Sequence, residues 1–581
     1  MASLQQKKIL SGKDSYILGI SFGFHDSAVA LIQNGKVLNA VEEERFTGVK
    51  HDNSFPLNSI SWILKENSIT KKDISVVCYY ENPILKKDRI VRIARKTFFK
   101  NPISNFKLLF TKEYDISKLF RKVFHKNVKV VFSSHHQSHQ AYSFFTSKFK
   151  ESAVLTVDGV GEFETTTMSK YTNNKVKCLG KVEFPHSLGM LYSTITAFLG
   201  FKPNEGEYKV MGLAPYGTHL FHHKKFDELI KYTKDGFELN PKYFTYEYSD
   251  KTMFNESLSK LLGIPNRLPE EPINDIHKNI AAALQYTYEK HFFRLLNQLY
   301  EKTKSINLCL GGGCAYNGTA NGKIREKTKF KNVWIPPAPS DAGSAIGAAL
   351  LFYYTSTNDT RVDNQTPFLG PQQSHDESLK IIKQNRNKVE FEFLGDGDLI
   401  NKTAQLISEG NIIGWVQDRL EFGARALGNR SILADPRDPQ MKKRVNMVIK
   451  KREGFRPFAP MVTFEDRIHY FTPAYEIPYM NQIVKVTEKY KDKLPAITHT
   501  DGSARIQTVR ESFNPKIYKL LKVYKKITGY PILLNTSFNL KDQTMVRDTQ
   551  EAIDTFMNCD MDYLIIGNLF LSKKIVSETL T

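Results

Sequence analysis

Cysteine is scarce in this 581-residue sequence: Cys78, Cys178, Cys309, Cys314 and Cys559 form a scattered, odd set with no C-x-x-C pair. Such a set argues against a disulfide framework or a cysteine-built structural zinc site, and for a reducing compartment. No apolar run approaches the ~20 residues of a membrane-spanning helix. The opening stretch MASLQQKKILSGKD has no continuous apolar core, so it does not read as a secretory signal. A cytoplasmic protein is expected. Its length exceeds what one hydrophobic core serves, so two or more domains are expected.

Acidic residues are also in short supply, 61 against 82 Lys and Arg, which leaves a net charge of +21. About half of that excess sits in Pro83–Val130, with fourteen Lys or Arg against Asp88, Glu113 and Asp115. Phenylalanines and aliphatics at helical spacing run through the same segment. Three readings stay open for it: a solvated helical insertion, a site for an anionic membrane surface, or a nucleic-acid patch.

The most informative stretch is SSHHQSHQAYSFFTSKFKESAVLTVDGVGE, Ser133 to Glu162. His135 and His139 lie four apart in a run without Gly or Pro. Helical geometry puts both imidazoles on one face, where they either chelate one cation or are ordinary helix histidines. The apolar strand Ala153–Val157 then delivers Asp158 at its tip, ahead of Gly159-Val160-Gly161. Asp341 opens a small-residue helix, placed either as a cap or as a fourth ligand.

Strand–turn patterns recur along the chain. Tyr16–Phe22 and Ala28–Ile32 flank Gly23-Phe24-His25-Asp26-Ser27, and Asn34-Gly35 turns into Val37–Val41. Lys50 follows in a loop where it either holds a phosphate or faces solvent. Gly206–Gly217 reads as a glycine-bounded loop, and Ile276–Leu299 as a long amphipathic helix. The strand Ile306–Leu310 feeds Gly311-Gly312-Gly313, whose main-chain N–H groups can approach an anion. Tyr354–Ser374 is polar and is the best candidate linker. Beyond it, arginines recur in Gly- and Pro-punctuated loops, as in RALGNRS and FRPFAP, a pattern suited to bidentate capture of phosphate or carboxylate.

Together FHDSAVAL, HHQSHQAYSFF, LTVDGVGE, EYKVMGLAPYG, LGGGCAYNG, PSDAGSAIGAAL, EFGARALGNRSILADPR, REGFRPFAP, HTDGSARIQTV and LLNTSFN span nearly the whole chain. In that order they resemble the O-carbamoyltransferases of nodulation-factor and antibiotic tailoring (the NodU/CmcH type). The resemblance implies an α/β and α+β chain. Residues 14–365 would form an actin-like (ASKHA) domain resembling threonylcarbamoyl transferases, carrying the basic insertion at 83–130. Residues 366–390 would link it to a YrdC-like domain over 391–581.

The implied chemistry has two steps. The C-terminal domain would make carbamoyl-adenylate from carbamoyl phosphate and ATP, with Mg2+ accompanying ATP. The N-terminal domain would pass the carbamoyl group to a hydroxyl of a sugar or natural-product acceptor. Carried over by motif, His135, His139, Asp158 and Asp341 would bind iron(II), a set that admits other divalent ions. His25 stands where a base toward the acceptor hydroxyl is expected, or as a core histidine. Lys50 would contact nucleotide phosphate, beside Gly312 and Asn317. Arg425, Arg456 and Arg505 would bind phosphate and carbamoyl groups, and Asn535 with Ser537 the adenylate. The resemblance admits a homodimer. A competing function is an RNA-binding protein of the tRNA threonylcarbamoylation type, prompted by the charge; the core-like spacing of the phenylalanines disfavours it.

Overall fold

A computed structural model describes residues 15–100, 115–249, 251–357 and 359–574. Part of the basic segment, residues 101–114, and the first fourteen residues lie outside them. The chain divides into two compact units, one of residues 1–40 and 53–365, the other of residues 41–52 and 366–581. Both mix helix and sheet, in agreement with the expected α/β class. No helix among the described residues is long and apolar enough to cross a membrane.

The first unit is built on a duplicated pattern. One five-stranded sheet runs in the order Lys36–Glu42, Ala28–Gln33, Tyr16–Ser21, Ile74–Tyr79, Lys129–Phe132. The second runs Lys175–Glu183, Glu164–Thr172, Glu151–Val157, Asn307–Gly311, Asn332–Trp334. In each sheet the central strand, Tyr16–Ser21 or Glu151–Val157, pairs antiparallel with the strand that follows it in the chain and parallel with the neighbour on its other side, Ile74–Tyr79 or Asn307–Gly311. Each fifth strand is followed by a helix, His135–Phe145 in the first half and Asp341–Ser356 in the second. The central strands are buried on both faces, which is why YILGIS and ESAVLTV read as nearly continuous apolar runs.

Those two helices pack at unusually close range because glycine replaces side chains at the contact. A Cβ on Gly347 would stand 1.9 Å from the Ser138 carbonyl oxygen, and one on Gly343 would strike Ala338 O at 1.9 Å and the Tyr142 ring. A Cβ on Gly19 would meet Ala345 O at 1.8 Å. The apolar helix DAGSAIGAALLFYYTS is buried along nearly its whole length. Polar groups at its N-terminus and at the start of the histidine helix are thereby held in the interior.

Two expectations are corrected here. Gly206–Gly217 is not an open loop: Glu207–Leu213 is helical and Ala214–Tyr216 makes a tight 3-10 turn. The glycine that ends it serves packing, since a Cβ on Gly217 would lie 2.2 Å from the Lys278 backbone of the long helix Asp275–Thr303. Much of the polar stretch beyond Ser356 is also strapped down. Arg361 donates to Phe144 O, and the Asn364 amide spans Gly35 O and Val37 N.

The second unit surrounds an eight-stranded mixed sheet. Its order is Val389–Phe393, Leu569–Lys573, Tyr563–Ile566, Ile413–Val416, Arg430–Ala434, Ile532–Ser537, Ala459–Thr463, Gln507–Val509. Alternation along the strands builds two cores. Ile413, Trp415, Leu433, Leu533 and Ile565 face Leu399, Leu520 and Tyr524 of the helices Asp396–Ser408 and Pro515–Thr528. Ile432, Ile532, Leu534, Leu564 and Ile566 join a core with Ile382, Ile553 and Phe556. Residues 366–390, read from sequence as a linker, carry the helix His375–Gln384 that supplies Ile382 to this core.

Candidate metal centre and anion-binding loops

In the first unit, four buried side chains from three elements meet. His135 is the first residue of its helix and His139 lies one turn on; Asp158 ends the strand Glu151–Val157; Asp341 opens its helix. His135 Nε2 and His139 Nε2 stand 2.9 and 3.0 Å from Asp158 Oδ2, and 3.1 Å from each other. Asp341 Oδ1 lies 3.5 and 3.4 Å from the same nitrogens. One ligand atom from each of the four lies within 4.8 Å of the rest.

Protons alone do not account well for three donor atoms in mutual contact. Separations of this size are instead those between ligand atoms placed ~2.0–2.2 Å from a shared centre. Asp341 Oδ2 is buried without a hydrogen-bond partner. Two imidazoles and two carboxylates therefore fit a divalent transition metal ion.

Neighbouring groups aim the four. His139 Nδ1 lies 3.0 Å from Ser344 Oγ, which leaves Nε2 for the cluster. Asp158 Oδ1 accepts from Gly159 N–H at 2.9 Å and Gly313 N–H at 3.1 Å. Glu162 accepts from His135 N–H at 2.9 Å and from Asn82 N–H at 2.6 Å, tying two helix starts together. Burial disfavours the charged imidazoles, yet the two carboxylates outweigh it: His139 is raised to about 9 and His135 is also raised. Asp158 and Asp341 fall below the usual carboxylate range, burial being overcome by the histidines around them. Without a cation the cluster thus gathers protons.

His25 sits at the tip of the first-half strand equivalent to the one bearing Asp158. Its Nδ1 is 3.1 Å from Asp26 Oδ2 and its Nε2 3.9 Å from Asp341 Oδ2. Burial opposes its charged form, but Asp341 and Asp26 raise it to about 10. It is partly exposed, unlike the four clustered groups.

The glycine turn behaves differently from the expected anion cradle. Gly312 has φ +87° and a Cβ there would meet Val157 O at 2.3 Å; its N–H is taken by Pro339 O. The next N–H, of Gly313, holds Asp158. Two of this turn's donors are thus engaged within the chain, one of them in orienting Asp158. Asn317 caps the helix Gly318–Gly322 and exchanges two hydrogen bonds with Gln285.

In the second unit, the loops that carry the expected arginines meet at the end of one strand, Ile532–Ser537. Asn535 Nδ2 donates to Ala426 O, beside Arg425, and to Gln507 Oε1, two residues from Arg505. Lys450 Nζ donates to Asn539 Oδ1 at 2.6 Å and Asn539 O at 2.8 Å, with Ser537 Oγ at 3.3 Å. Arg456 is mostly buried beside Glu453, and its carbonyl accepts from Asn446. Asn535 Oδ1 is buried with no partner. Burial, reinforced by Arg452, Arg456 and Lys50, pushes Lys450 well below its usual range.

Lys50 lies outside the unit that carries the Gly311–Gly313 turn. It belongs to residues 41–52, which fold with the second unit. That segment is held by Arg45, which donates to Gly423 O, and by Glu42, which accepts from Gly423 N–H.

Sequence reasoning missed four residues. Ser344 and Glu162 lie within quoted motifs, but no spacing rule marks them as partners of the histidines. Lys450 is one of many lysines. Glu421 is fully buried and accepts from the N–H groups of Leu427, Asn429 and Arg430. Arg430 also departs from the anion-site pattern, since it donates to the carbonyls of Gln417, Asp418 and Asn429 and so is structural.

A buried centre that suits a cation, and a separate unit with basic loops around a strand end, are the features to set against known proteins. The chain belongs to the carbamoyltransferase family: the models Carbamoyltransferase N-terminus and Carbamoyltransferase C-terminus match residues 16–350 and 404–573. It is similar to nodulation protein NolNO of Sinorhizobium fredii, 36% identical over 95% of this chain and 80% of that protein. An uncharacterized protein of Synechocystis sp., sll1178, is 39% identical over 96% of this chain and 97% of its own. Among solved structures, HypF of T. kodakarensis aligns with 13% identity over 61% of this chain and 50% of that one, at a TM-score of 0.33.

Proposed function

We propose that the protein is an ATP-dependent O-carbamoyltransferase that forms carbamoyl-adenylate in its second unit and transfers the carbamoyl group to an acceptor hydroxyl in its first. The observation that carries this reading is the convergence of His135, His139, Asp158 and Asp341, with His25 beside them, in a chain of the carbamoyltransferase family. The duplicated strand order supports an actin-like first unit; a YrdC-like second unit rests on the sequence resemblance alone.

In the second unit, Arg425, Arg456 and Arg505 would neutralise the phosphates of carbamoyl phosphate and ATP, whose charge is clustered as water releases phosphate from carbamoyl phosphate and the carbamate so formed displaces pyrophosphate from ATP to give the adenylate. Asn535, with an unsatisfied buried oxygen, and Ser537 would hold the adenylate. In the first unit the four clustered side chains would hold a divalent metal, for which iron(II) is our candidate; such an ion supplies Lewis acidity toward a carbonyl oxygen. Asp26 orients His25 through Nδ1, and neutral His25 would take the proton of the attacking hydroxyl at Nε2, a form that a cation held by Asp341 and Asp158 would favour by offsetting the carboxylates that raise it. The acceptor we propose is a hydroxyl of a sugar or natural product, as the sequence resemblance implies.

Purified protein supplied with iron(II), ATP and carbamoyl phosphate should release pyrophosphate only when carbamoyl phosphate is present. Absence of that release, with or without acceptors, defeats the proposal.

A further inference from the structure

The helix Pro83–Lys96 opens the basic segment and is anchored at the metal centre. Asn82 caps it, and the Asn82 N–H donates to Glu162, the same carboxylate that receives the His135 N–H. Seven residues further, about 10 Å along the helix axis, Arg89 places its guanidinium 5.5 Å from the centre of the Phe184 ring. One turn on, Arg92 covers Phe163 at 5.1 Å, and Phe163 directly follows Glu162. Phe163 and Phe184 are neighbours, joined by Phe184 N–H to Phe163 O.

The two arginines differ. Arg92 is well exposed and paired with Asp88 at 2.7 Å. Arg89 is half-buried; its Nε is shielded from solvent and its guanidinium makes no hydrogen bond or ion pair with any described residue. The nearest carboxylates are engaged elsewhere: Glu81 with Lys86 at 2.7 Å, Glu162 with two main-chain N–H groups. Burial lowers Arg89 from its usual range, and Glu81 and Glu162 oppose that only through space. A guanidinium with a shielded Nε, no acceptor among the described residues and terminal nitrogens still open to solvent presents a fork that matches an oxyanion.

We infer that Arg89 is the oxyanion-binding residue of the acceptor site. The acceptor then carries a carboxylate or phosphate besides its reactive hydroxyl. The inference rests on the carbamoyl-transfer reading and names the acceptor class for that same centre.

The test is calorimetric titration of glucuronate, glucose 6-phosphate and glucose into the full-length protein, its Arg89→Gln variant and its Arg89→Lys variant. The wild type should bind one or both anionic sugars and not glucose. Arg89→Gln should bind them about tenfold or more weakly, and Arg89→Lys should keep part of the affinity. Glucuronate against glucose 6-phosphate separates carboxylate from phosphate recognition. No anion binding by the wild type, or binding undiminished in Arg89→Gln (the mark of the second unit's arginines), overturns the inference. The melting temperature supplies an independent readout. Removal of an unpaired binding cation should leave Tm unchanged or raised, whereas a structural ring-covering arginine would lower it on substitution. Pyrophosphate release by the unmodified protein, measured alongside, reports on the carbamoyl-transfer reading separately. Its absence would sink that reading and leave the oxyanion result standing.

Discussion

Ser344 Oγ lies 3.0 Å from His139 Nδ1, across the glycine-mediated contact between their two helices. That one hydroxyl decides which imidazole nitrogen faces Asp158. With Nδ1–H donated to Ser344, Nε2 is the nitrogen left to face the cluster, 3.0 Å from Asp158 Oδ2. The serine reaches the histidine only because Gly343 and Gly347 on either side of it carry no side chain.

Ser344→Ala removes the partner and leaves the packing intact. Metal affinity should fall about tenfold or more, as is usual when a ligand histidine loses its orienting hydrogen bond. Titration of the metal-free protein with iron(II) or zinc measures this, and an unchanged melting temperature shows that the helix pair has stayed together. Undiminished affinity would show that the hydroxyl does not set the tautomer.

Gly347→Ala tests the contact itself. The added methyl would lie 1.9 Å from Ser138 O, which is backbone and yields little. Overpacking of this kind costs ~1–3 kcal/mol, at times more, so the variant should melt at lower temperature and bind metal poorly even though no ligand has been changed. Chemical denaturation with and without metal separates the two effects.

Acidity should act in opposite senses on the free and loaded proteins. His139 is raised to about 9, so it binds a proton more tightly folded than unfolded. The stability this gives the metal-free protein is complete below about pH 6.5 and is lost as pH rises through about 9. A bound cation replaces those protons, so metal affinity should increase with pH over the same interval. The gap in melting temperature between loaded and chelator-treated protein should widen from pH 6 to pH 9. A constant gap would contradict the assignment.

The two units should be separable by mutation. Arg456→Ala should abolish carbamoyl-phosphate-dependent pyrophosphate release, while His139→Ala should retain release and lose carbamoyl transfer to acceptor. Equal loss of release in both variants would contradict a two-site scheme.

Much of the local structure is legible in the residues. Alternation and apolar runs mark the strands at Tyr16, Ala153, Ile413 and Ile532, and the four-residue step from His135 to His139 requires a shared helix face. Gly206–Gly217 misled because its bounding glycines look like turn residues. In between, Glu-Tyr-Lys-Val-Met favours helix, and Gly217 answers a close approach to Lys278 that spacing does not reveal.

By itself the sequence determined the donor types, the helix that joins two of them, and the family to which the chain belongs. Tertiary structure alone decided the rest: that Asp158 and Asp341, separated by more than 180 residues, reach the same imidazoles; that Gly313 supports Asp158; that Lys50 folds with the second unit; and that Arg89 has no hydrogen-bond or ion-pair partner among the described residues. The physical reason is range. Backbone periodicity and turn chemistry act over a few neighbouring residues, whereas coordination, close packing and burial depend on distances set by how whole strands and helices stack.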